Sequence, residues 1–535
     1  MEVVAENFEV LLPHILKDIE EAEFISFDTE FSGLGLGNAV RNDMMDTIED
    51  RYQKISTVAS QFIPMQVGLG IFKYDHNQSM YVCHPYNFYV FPKTGTKQFG
   101  LDRTFQIQLS CLEFLLQNKF DIQKWTKGVP FLNRQDEERI LEKLQAITYD
   151  EPLEEGHNLY DYVQEWIPKI TDFMQNGTDK TFEIKTPSSA HKRVIHQTVG
   201  RMYNGFLACS SKRTFIEISK RTVEERNSFL DNVNSKLESQ RADLNELVGF
   251  RRVIDAITKK KVPIVGHNLM LDICYIYHHF IRKLPMVYQD FKKSLHEEFP
   301  VIYDTKYITH TSTELDSGVS NTALEKLYDV ARAYPYRFPY ISCGREFTKY
   351  QESDSQHEAG YDAFITGFCF LKFCSFKSEK SELLDLNSER LKGFANRIYL
   401  MYSNIPYLNL GGPDGKYRFT VDKAVTKNVF KLSGFPVAWK YQDIQENLQD
   451  LGSVNVKWID DQSCLIIIKD LSKVSKALEI CSRKIKKKSV FKLEPYNEVT
   501  AKRSGEHLEP DYHKKPRVEI EKEGVTETRS NCIIS

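Results

Sequence analysis

Apolar residues near the start of the chain recur first at helical spacing and then in continuous runs. The first helix face is formed by Phe8, Leu11, Leu12 and Ile15. Residues 23–31, which include Phe24, Ile25, Phe27 and Phe31, follow as a strand. The runs 65–72 and 80–83 lie close enough together to pair as a hairpin. This opening segment predicts a mixed sheet that begins with antiparallel strands.

Strands and helices alternate later in the chain. Short apolar runs at 262–265 and 301–305 fit buried strands, and helical patterns begin near Asn268 and span 359–373. Such alternation predicts an α/β fold. We expect this first domain to combine two parts, 1–170 and 244–410.

Two smaller units and a tail complete the predicted organisation. Residues 171–243 contain a helix from Ala190 to about Tyr203, a strand at 214–218 and a charged, helical connector, which predicts a small inserted α/β domain. Residues 425–500 follow the order β-α-β-β-α-β, the ferredoxin-like plan of RNA-recognition motifs. Residues 501–535 are polar and predict a disordered tail.

Composition narrows the class of protein. A length of 535 residues is too great for one hydrophobic core, and a net charge of −3 excludes a generally basic nucleic-acid coat. The ten cysteines form no CxxC cluster, which favours a reducing compartment. The acidic start of the chain does not fit a signal peptide, and no apolar run approaches about 20 residues. We therefore expect an intracellular, soluble protein without a transmembrane segment.

Two carboxylates share one face of the strand 23–31. Asp28 and Glu30 are two residues apart, so their side chains point to the same side. An exposed polar face is the simpler interpretation, but the apolar neighbours Phe24, Ile25 and Phe27 indicate a buried strand. Like charges at this separation repel unless a cation lies between them, which favours a metal site.

Two further acids begin apolar helices. Asp272 follows the strand 262–265, and Asp362 lies near the head of the helix 359–373. Either residue alone would most often be a helix cap, but four acids in such places favour one shared site. Four carboxylates can hold two divalent cations about 3.5–4 Å apart for hydrolysis of a phosphodiester. Oxygen ligands select Mg²⁺ or Mn²⁺, and His357, five residues before Asp362, is the candidate general base.

The order Asp-x-Glu, Asp, His-x₄-Asp resembles the histidine subclass of the DEDD 3′→5′ exonucleases. The tyrosine subclass would need Tyr at position 358, which is Glu. More narrowly, the chain resembles the family of poly(A)-specific ribonucleases. The segments that carry this resemblance are FDTEFSGL (27–34), GHNLMLD (266–272), DTK (304–306), HEAGYDAFITG (357–367) and IPYLNLGGPD (405–414).

This resemblance implies an RNase H-like exonuclease core in a Mg²⁺-dependent homodimer that shortens poly(A) tails of RNA and releases 5′-AMP, in nucleus and cytoplasm. It implies that Asp28, Glu30, Asp272 and Asp362 are metal ligands and that His357 is the base. Aromatic and apolar faces stack on bases, and a lysine meets phosphate. The residues implied to line the path of the terminal adenosines are Phe31, Leu34, Leu112, Phe114, Asn268 and Lys306.

The two smaller domains depart from their families. The inserted domain resembles the single-strand-binding type with an Arg-x-x-x-His signature, which reads Lys192-x-x-x-His196 here. In the C-terminal domain, the strand 463–468 lacks the aromatics that stack on RNA, so ordinary RNA readout across this sheet is not expected. Trp458 corresponds to the family's tryptophan that stacks on the 7-methylguanosine cap; a core anchor is the simpler interpretation.

The chain ends contain three weaker signals. Basic runs at 483–488 and 514–517 could guide RNA, act as nuclear signals or be solvated patches. The last four residues, Cys532 to Ser535, fit a C-a-a-X prenylation pattern. Against prenylation, no second lipid signal or adjacent basic run supports membrane attachment, and the family resemblance does not imply a lipid.

Three functional alternatives stay open. A trimmer of small-RNA 3′ ends is one, although membrane-anchored relatives of that kind carry a C-terminal transmembrane segment that is absent here. A catalytically inactive RNA-binding scaffold is another, but all five catalytic positions are intact. An exonuclease acting on DNA is the third alternative. It would have the same metal site as a ribonuclease, and only the family resemblance separates the two.

Overall fold

The computed structural model describes most of the chain between Met1 and Tyr496. Both basic runs, the polar tail and Cys532 fall outside the described residues. The residues not described are 36–45, 94–98, 100–102, 149–154, 313–314, 316–320, 353–354, 377, 402, 404, 417–427, 469, 483–490 and 497–535.

The strands, in chain order, fall into three sheets. They are β1 Glu2–Val3, β2 Phe24–Phe31, β3 Pro64–Asp75, β4 Met80–Tyr89, β5 Thr181–Lys185, β6 Leu207–Ser211, β7 Phe215–Lys220, β8 Ile264–Gly266, β9 Ile302–Asp304, β10 Ile341–Cys343, β11 Arg397–Tyr399, β12 Tyr407–Asn409, β13 Val429–Ser433, β14 Val454–Asp460, β15 Ser463–Ile468 and β16 Lys492–Pro495.

The α-helices connect and cover these sheets. They are α1 Ala5–Glu20, α2 Ile48–Gln61, α3 Leu109–Gln117, α4 Ile122–Thr126, α5 Arg134–Thr148, α6 Tyr160–Asn176, α7 Ser189–Met202, α8 Val223–Val248, α9 Arg251–Lys260, α10 Met270–Ile276, α11 Tyr288–Glu298, α12 Thr305–Thr311, α13 Leu324–Arg332, α14 Lys349–Glu352, α15 Ala359–Cys374, α16 Glu389–Lys392, α17 Tyr441–Asn447 and α18 Val474–Ser482.

The largest sheet is mixed, as the sequence predicts. Its order is β1-β4-β3-β2-β8-β9-β11-β12, with β10 paired to β4. The neighbours β2, β3 and β4 are antiparallel, whereas β2, β8, β9 and β11 run parallel. The expected α/β fold class is therefore confirmed, including the hairpin between β3 and β4.

Helix α15 packs directly on β2, β3 and β4, and nearly all of its side chains are buried. Gly68 on β3 permits this close approach, because a Cβ there would lie 1.8 Å from the carbonyl oxygen of Ala359. On the neighbouring strand, Ser26 donates from Oγ to the carbonyl of Ala363 at 2.6 Å. The first turn of α15 is thus held against the middle of the sheet.

The inserted domain has a sheet of order β5-β7-β6 and its own hydrophobic core. Its boundary differs from the sequence-based expectation, because residue 171 lies inside α6. That helix contributes Ile170 and Phe173 to the core of the insert, so the structural unit begins near Tyr160. Polar residues on α6 conceal its buried stripe from a reading of composition alone.

The helical connector after the insert is two helices rather than one. Helix α8 ends at Val248, and Gly249 turns the chain with φ of 45° before α9 begins. A Cβ at Gly249 would lie 2.0 Å from the carbonyl oxygen of Pro130, so glycine is required on two grounds. In the sequence, Leu247, Phe250, Val253, Ile254 and Ile257 keep one apolar face through this break, a pattern that by itself predicts one continuous helix.

The C-terminal domain has the expected β-α-β-β-α-β order, and its sheet has the strand order β14-β15-β13-β16. One face of the sheet carries the domain core. On the opposite face, Val429, Leu465 and Ile467 are also buried. Among the described helices of the whole chain, none is both long and apolar enough to cross a membrane.

Candidate active site

Two of the predicted ligands lie side by side on β2. Asp28 stands opposite Gly68 and Glu30 opposite Gln66 in the antiparallel pairing with β3. Glu30 is buried and Asp28 is half-buried. The alternation of the strand therefore directs both carboxylates to one face, towards the helices that begin beside it.

The other two ligands come from helix starts. Asp272 lies in the first turn of α10, and Asp362 lies in the first turn of α15. Strand β8, which leads to α10, runs parallel to β2 and next to it. The close packing of α15 at Gly68 places Asp362 at the same end of the sheet. The structure thus brings together the four acids that the sequence grouped.

The four carboxyl groups act on one another electrostatically. Burial raises the pKa of Asp28 to about 7. The pKa of Glu30 is raised well above its ordinary value by burial and then by the other three carboxylates. Burial followed by the charge of Asp28 raises the pKa of Asp272 and that of Asp362. Such a cluster is costly when fully ionised, unless cations join it.

His357 lies at the edge of this cluster. One ring nitrogen of His357 and carboxyl oxygens of Glu30 and Asp362 lie within 4.8 Å of one another. The backbone N–H of His357 donates to Oδ2 of Asp362 at 3.0 Å. The ring meets Phe114 edge to face at 4.7 Å between centroids, and the backbone has a positive φ of 65°. A non-glycine residue in that conformation is found mainly where the surroundings require it.

This donor set fits divalent cations. Carboxylate oxygens are the ligands that Mg²⁺ and Mn²⁺ prefer, and the mutual rise in pKa shows that the side chains converge on one small volume. A cation would favour the ionised carboxylates and so oppose both the burial and the mutual repulsion that raise these pKa values.

The residues implied to line the adenosine path divide into two groups. Leu112 and Phe114 are half-buried on α3, and Phe114 touches His357. Phe31 is mostly buried, with its ring 4.2 Å from that of Tyr275. Leu34 packs at the border of the same cluster, and its backbone N–H donates to Gln108 at 3.0 Å. Phe114 and Leu112 are therefore exposed enough to contact a substrate, whereas Phe31 also packs in the hydrophobic core.

The other two residues implied to line the adenosine path, Asn268 and Lys306, lie beside β9. Asn268 has a positive φ of 57°. Lys306 is only 8% exposed, and its Nζ donates to the carbonyl of Thr322 at 3.3 Å. Burial lowers the pKa of Lys306, and the nearby charge of Asp304 opposes this shift.

Asp304 is an anchor that the sequence reasoning missed. Its buried carboxylate accepts backbone N–H groups of Asn268 at 2.9 Å and Leu269 at 3.2 Å, and of Tyr399 at 3.0 Å. It also caps α12 through Lys306 at 2.9 Å. Asp304 therefore fixes the loop before α10, and with it Asp272. Its position directly before a helix is the signal that could have revealed it.

The two smaller domains show how their signature residues are used. Lys192 donates to the carbonyl of Arg213 at 3.0 Å, in the turn between β6 and β7, and His196 hydrogen bonds Ser211 at 2.8 Å, at the end of β6. Trp458 is 41% exposed, and its ring meets that of Phe435 edge to face at 5.6 Å. An indole this exposed is not a buried anchor.

Two family models match the chain. The model of the CAF1 family ribonuclease matches residues 3–370, and that of an RNA binding domain matches residues 423–502. Poly(A)-specific ribonuclease PARN of Danio rerio is 32% identical over 506 residues, covering 89% of this chain and 75% of the relative. The PARN of Homo sapiens is 31% identical over 508 residues, covering 89% and 78%. The pre-piRNA 3′-exonuclease trimmer of Bombyx mori is 28% identical over 444 residues, covering 77% and 80%.

Proposed function

The chain belongs to the CAF1 family of ribonucleases, in its PARN branch, and from this we infer that it shortens poly(A) by 3′→5′ exoribonucleolytic hydrolysis. The observation that carries this function is the convergence of four carboxylates and a histidine at one end of the large sheet. Each cycle adds water across the terminal phosphodiester, so that 5′-AMP leaves and the RNA keeps a new 3′-hydroxyl.

The placement of the site residues supports a role for each of them. Asp28, Glu30, Asp272 and Asp362 would hold two divalent cations, with Mg²⁺ as the expected ion and Mn²⁺ as a substitute. When bound, these cations supply positive charge to the reacting phosphate. His357, held by its own backbone at Asp362, takes the proton from the attacking water.

The terminal adenosines are proposed to lie along the apolar residues next to this site. Phe114 supports this path because it touches His357 and is half-buried rather than enclosed. Stacking of a base on such a ring contributes roughly 1–3 kcal/mol. The other residues of this path are Phe31, Leu34, Leu112, Asn268 and Lys306.

A metal titration tests the proposed chemistry. A 5′-labelled oligo(A) incubated with enzyme should give a ladder of single-nucleotide steps with Mg²⁺ or Mn²⁺, and no shortening in EDTA. The variant Asp362→Asn should give no ladder under either condition. A ladder that persists in EDTA would exclude a metal-dependent reaction, and internal fragments would exclude an exonuclease.

A second candidate function is 3′ trimming of small RNAs, which the similarity to the Bombyx mori trimmer favours. A trimmer must remove nucleotides other than adenosine. Competition between an oligo(A) end and a mixed-sequence end in one reaction separates the two functions. Faster removal of adenosines supports deadenylation, whereas equal rates support trimming.

Cap binding, self-association and localisation are further proposals. The exposed indole of Trp458 supports a 7-methylguanosine cap site, since a cationic base suits an indole face.

The family resemblance supports a homodimer, which sedimentation at micromolar concentration would test. The same resemblance supports residence in nucleus and cytoplasm, which imaging of the tagged chain would test.

A further inference from the structure

A fifth carboxylate lies beside the candidate site. Glu325 belongs to the first turn of α13, and its Oε1 is 3.6 Å from Nε2 of His357. The side chain of Glu325 is 32% exposed and that of His357 is 18% exposed. Glu325 lies more than thirty residues before His357 in the sequence and belongs to no motif, so only the fold brings the two residues together.

The position of Glu325 is fixed by aromatic packing between α13 and α15. Tyr328, three residues after Glu325 on the same helix face, meets Phe368 at 5.1 Å, Tyr361 at 6.4 Å and Phe364 at 6.5 Å between ring centroids. These three partners all lie on α15, whose first turn carries Asp362. Glu325 is therefore held on the helix that packs beside the catalytic segment, not on a free loop.

The surroundings of His357 give Glu325 a specific task. The backbone of His357 is tied to Asp362, and one edge of the ring rests against Phe114. These contacts act on the backbone and on one edge of the ring, and a further contact at the far end of the ring would also restrain rotation of the imidazole about its side-chain bonds. The carboxylate of Glu325 faces the far end of the ring, at Nε2, where a contact restrains that rotation most effectively.

A purely structural role would explain Glu325 in another way. An acidic residue in the first turn of a helix is stabilising because it interacts with the helix dipole. However, an interaction with the helix dipole requires no contact with His357, whereas Oε1 of Glu325 lies 3.6 Å from Nε2 of that residue. Placing another negative charge beside four carboxylates has a cost, which a role towards His357 would offset.

We propose that Glu325 is a positioning residue that holds the His357 imidazole in its place beside Glu30 and Asp362. The inference rests on the proposed function, in which His357 accepts the proton of the attacking water. Because Glu325 faces Nε2 of His357, the proton of the attacking water is assigned to the other ring nitrogen, Nδ1, and Glu325 itself accepts no proton. It acts only through the orientation of the histidine ring.

A double-mutant cycle on the full-length enzyme tests this role, with oligo(A) as substrate and Mg²⁺ present. Glu325→Ala should lower kcat by roughly 10- to 100-fold, as is usual for residues that orient a functional histidine, and leave KM near its wild-type value. Glu325→Gln, which keeps size and an acceptor oxygen, should recover most of the loss. In a His357→Ala background, Glu325→Ala should cause no further loss.

Asp329→Ala is the matched control, because Asp329 lies on the next turn of α13, where it is exposed and pairs with Lys326 at 3.4 Å. It should leave kcat unchanged. Mg²⁺-induced thermal stabilisation should be the same in Glu325→Ala, Glu325→Gln and wild type.

Three results would overturn the role of Glu325. They are an unchanged kcat in Glu325→Ala, an equal additional loss in the His357→Ala background, or a loss of Mg²⁺ stabilisation. If Glu325→Ala proves unstable, the same cycle is run with Glu325→Gln. The small loss of kcat caused by Glu325→Gln should then be absent in the His357→Ala background, and a loss of equal size there would overturn the proposal. A separate outcome, wild-type turnover in His357→Ala alone, would instead refute the proposed base.

Discussion

Four carboxylates share a space in which none of them ionises at its ordinary pKa. Asp28 and Glu30 were predictable from the strand repeat, because a period of two and apolar neighbours define one buried face. Asp272 and Asp362 could be grouped with them only through their similar positions at helix starts. The sequence could not show how strongly the four interact, since this depends on burial and distance in the folded chain.

The metal-free protein should be least stable at pH values at which these four carboxyl groups are ionised. A carboxyl group whose pKa is raised by folding ionises first in the unfolded chain, so stability falls as pH rises from about 4 towards the folded value. For Asp28 that value is about 7. In EDTA, Asp28→Asn should therefore melt above wild type, by a margin that grows between about pH 4 and 7. Thermal melting of both proteins across this pH range measures the difference in melting temperature.

Addition of Mg²⁺ provides the control for this experiment. Wild type should gain more stability from the ion than Asp28→Asn, because the variant has lost one ligand. A variant that melts below wild type at every pH, or that keeps the whole Mg²⁺ effect, would contradict the assignment of Asp28.

Replacement of His357 should separate proton transfer from metal binding. His357→Ala is expected to lose roughly 10²- to 10⁴-fold in turnover, the usual contribution of a general base, while Mg²⁺ still stabilises the protein. Turnover of oligo(A) at neutral and high pH, beside melting with and without Mg²⁺, tests both parts. Partial recovery at high pH supports the base role, and unchanged turnover at neutral pH removes it.

At the scale of elements, periodicity predicted the strand and the two helices that carry the four acids, but it did not predict α3 and α13 beside the site, nor the contacts between elements. The run from Leu247 to Ile257 has one apolar face, yet Gly249 divides it because the backbone of Pro130 approaches there. Asp304 likewise appears in the sequence as an ordinary helix cap. Only the fold shows that it also binds the loop at Asn268 and Leu269. Neighbours distant in sequence determine both features.

Position 68 on β3, against which helix α15 packs, should tolerate no side chain. In Gly68→Ala the new Cβ would meet the carbonyl of Ala359, a backbone atom that cannot rotate away. The helix must shift, which should cost about 3 kcal/mol and displace Asp362. Melting temperature and oligo(A) turnover should therefore fall together.

Gly200→Ala is the control for this substitution. A Cβ at Gly200, within α7, meets nothing within 4 Å, so alanine should be neutral or slightly stabilising. If Gly68→Ala behaved like Gly200→Ala, the close packing of α15 on β3 would be contradicted.

At the scale of the whole molecule, the chain combines a nuclease domain with two small domains that lack the usual RNA-binding residues. Lys192 is engaged with the turn between β6 and β7, and His196 with Ser211 at the end of β6 of the same domain. The sheet face opposite the core of the C-terminal domain is buried at Leu465 and Ile467. The sequence showed that the signatures had changed, but not that the replacement residues bind elsewhere, because their partners are set by the fold.

Trp458 should separate cap recognition from hydrolysis. Trp458→Ala removes an exposed indole face, so the affinity of the full-length chain for a cap analogue should fall several-fold, since cation–π contact contributes roughly 0.5–2 kcal/mol. Hydrolysis of uncapped oligo(A) should stay near wild type. Fluorescence titration with a cap analogue and thermal melting, run on the same preparations, test this; a large fall in melting temperature would indicate a core anchor instead.

The most direct test of the central claim is release of 5′-AMP from a 3′-labelled oligo(A) with Mg²⁺, beside oligo(U) and single-stranded DNA of equal length. A poly(A)-specific exoribonuclease should release nucleotides from the 3′ end of oligo(A) one at a time and act far more slowly on the other two substrates. Asp362→Asn should release none. Equal rates on all three substrates would contradict specificity for poly(A), and undiminished release by Asp362→Asn would contradict the assigned active site.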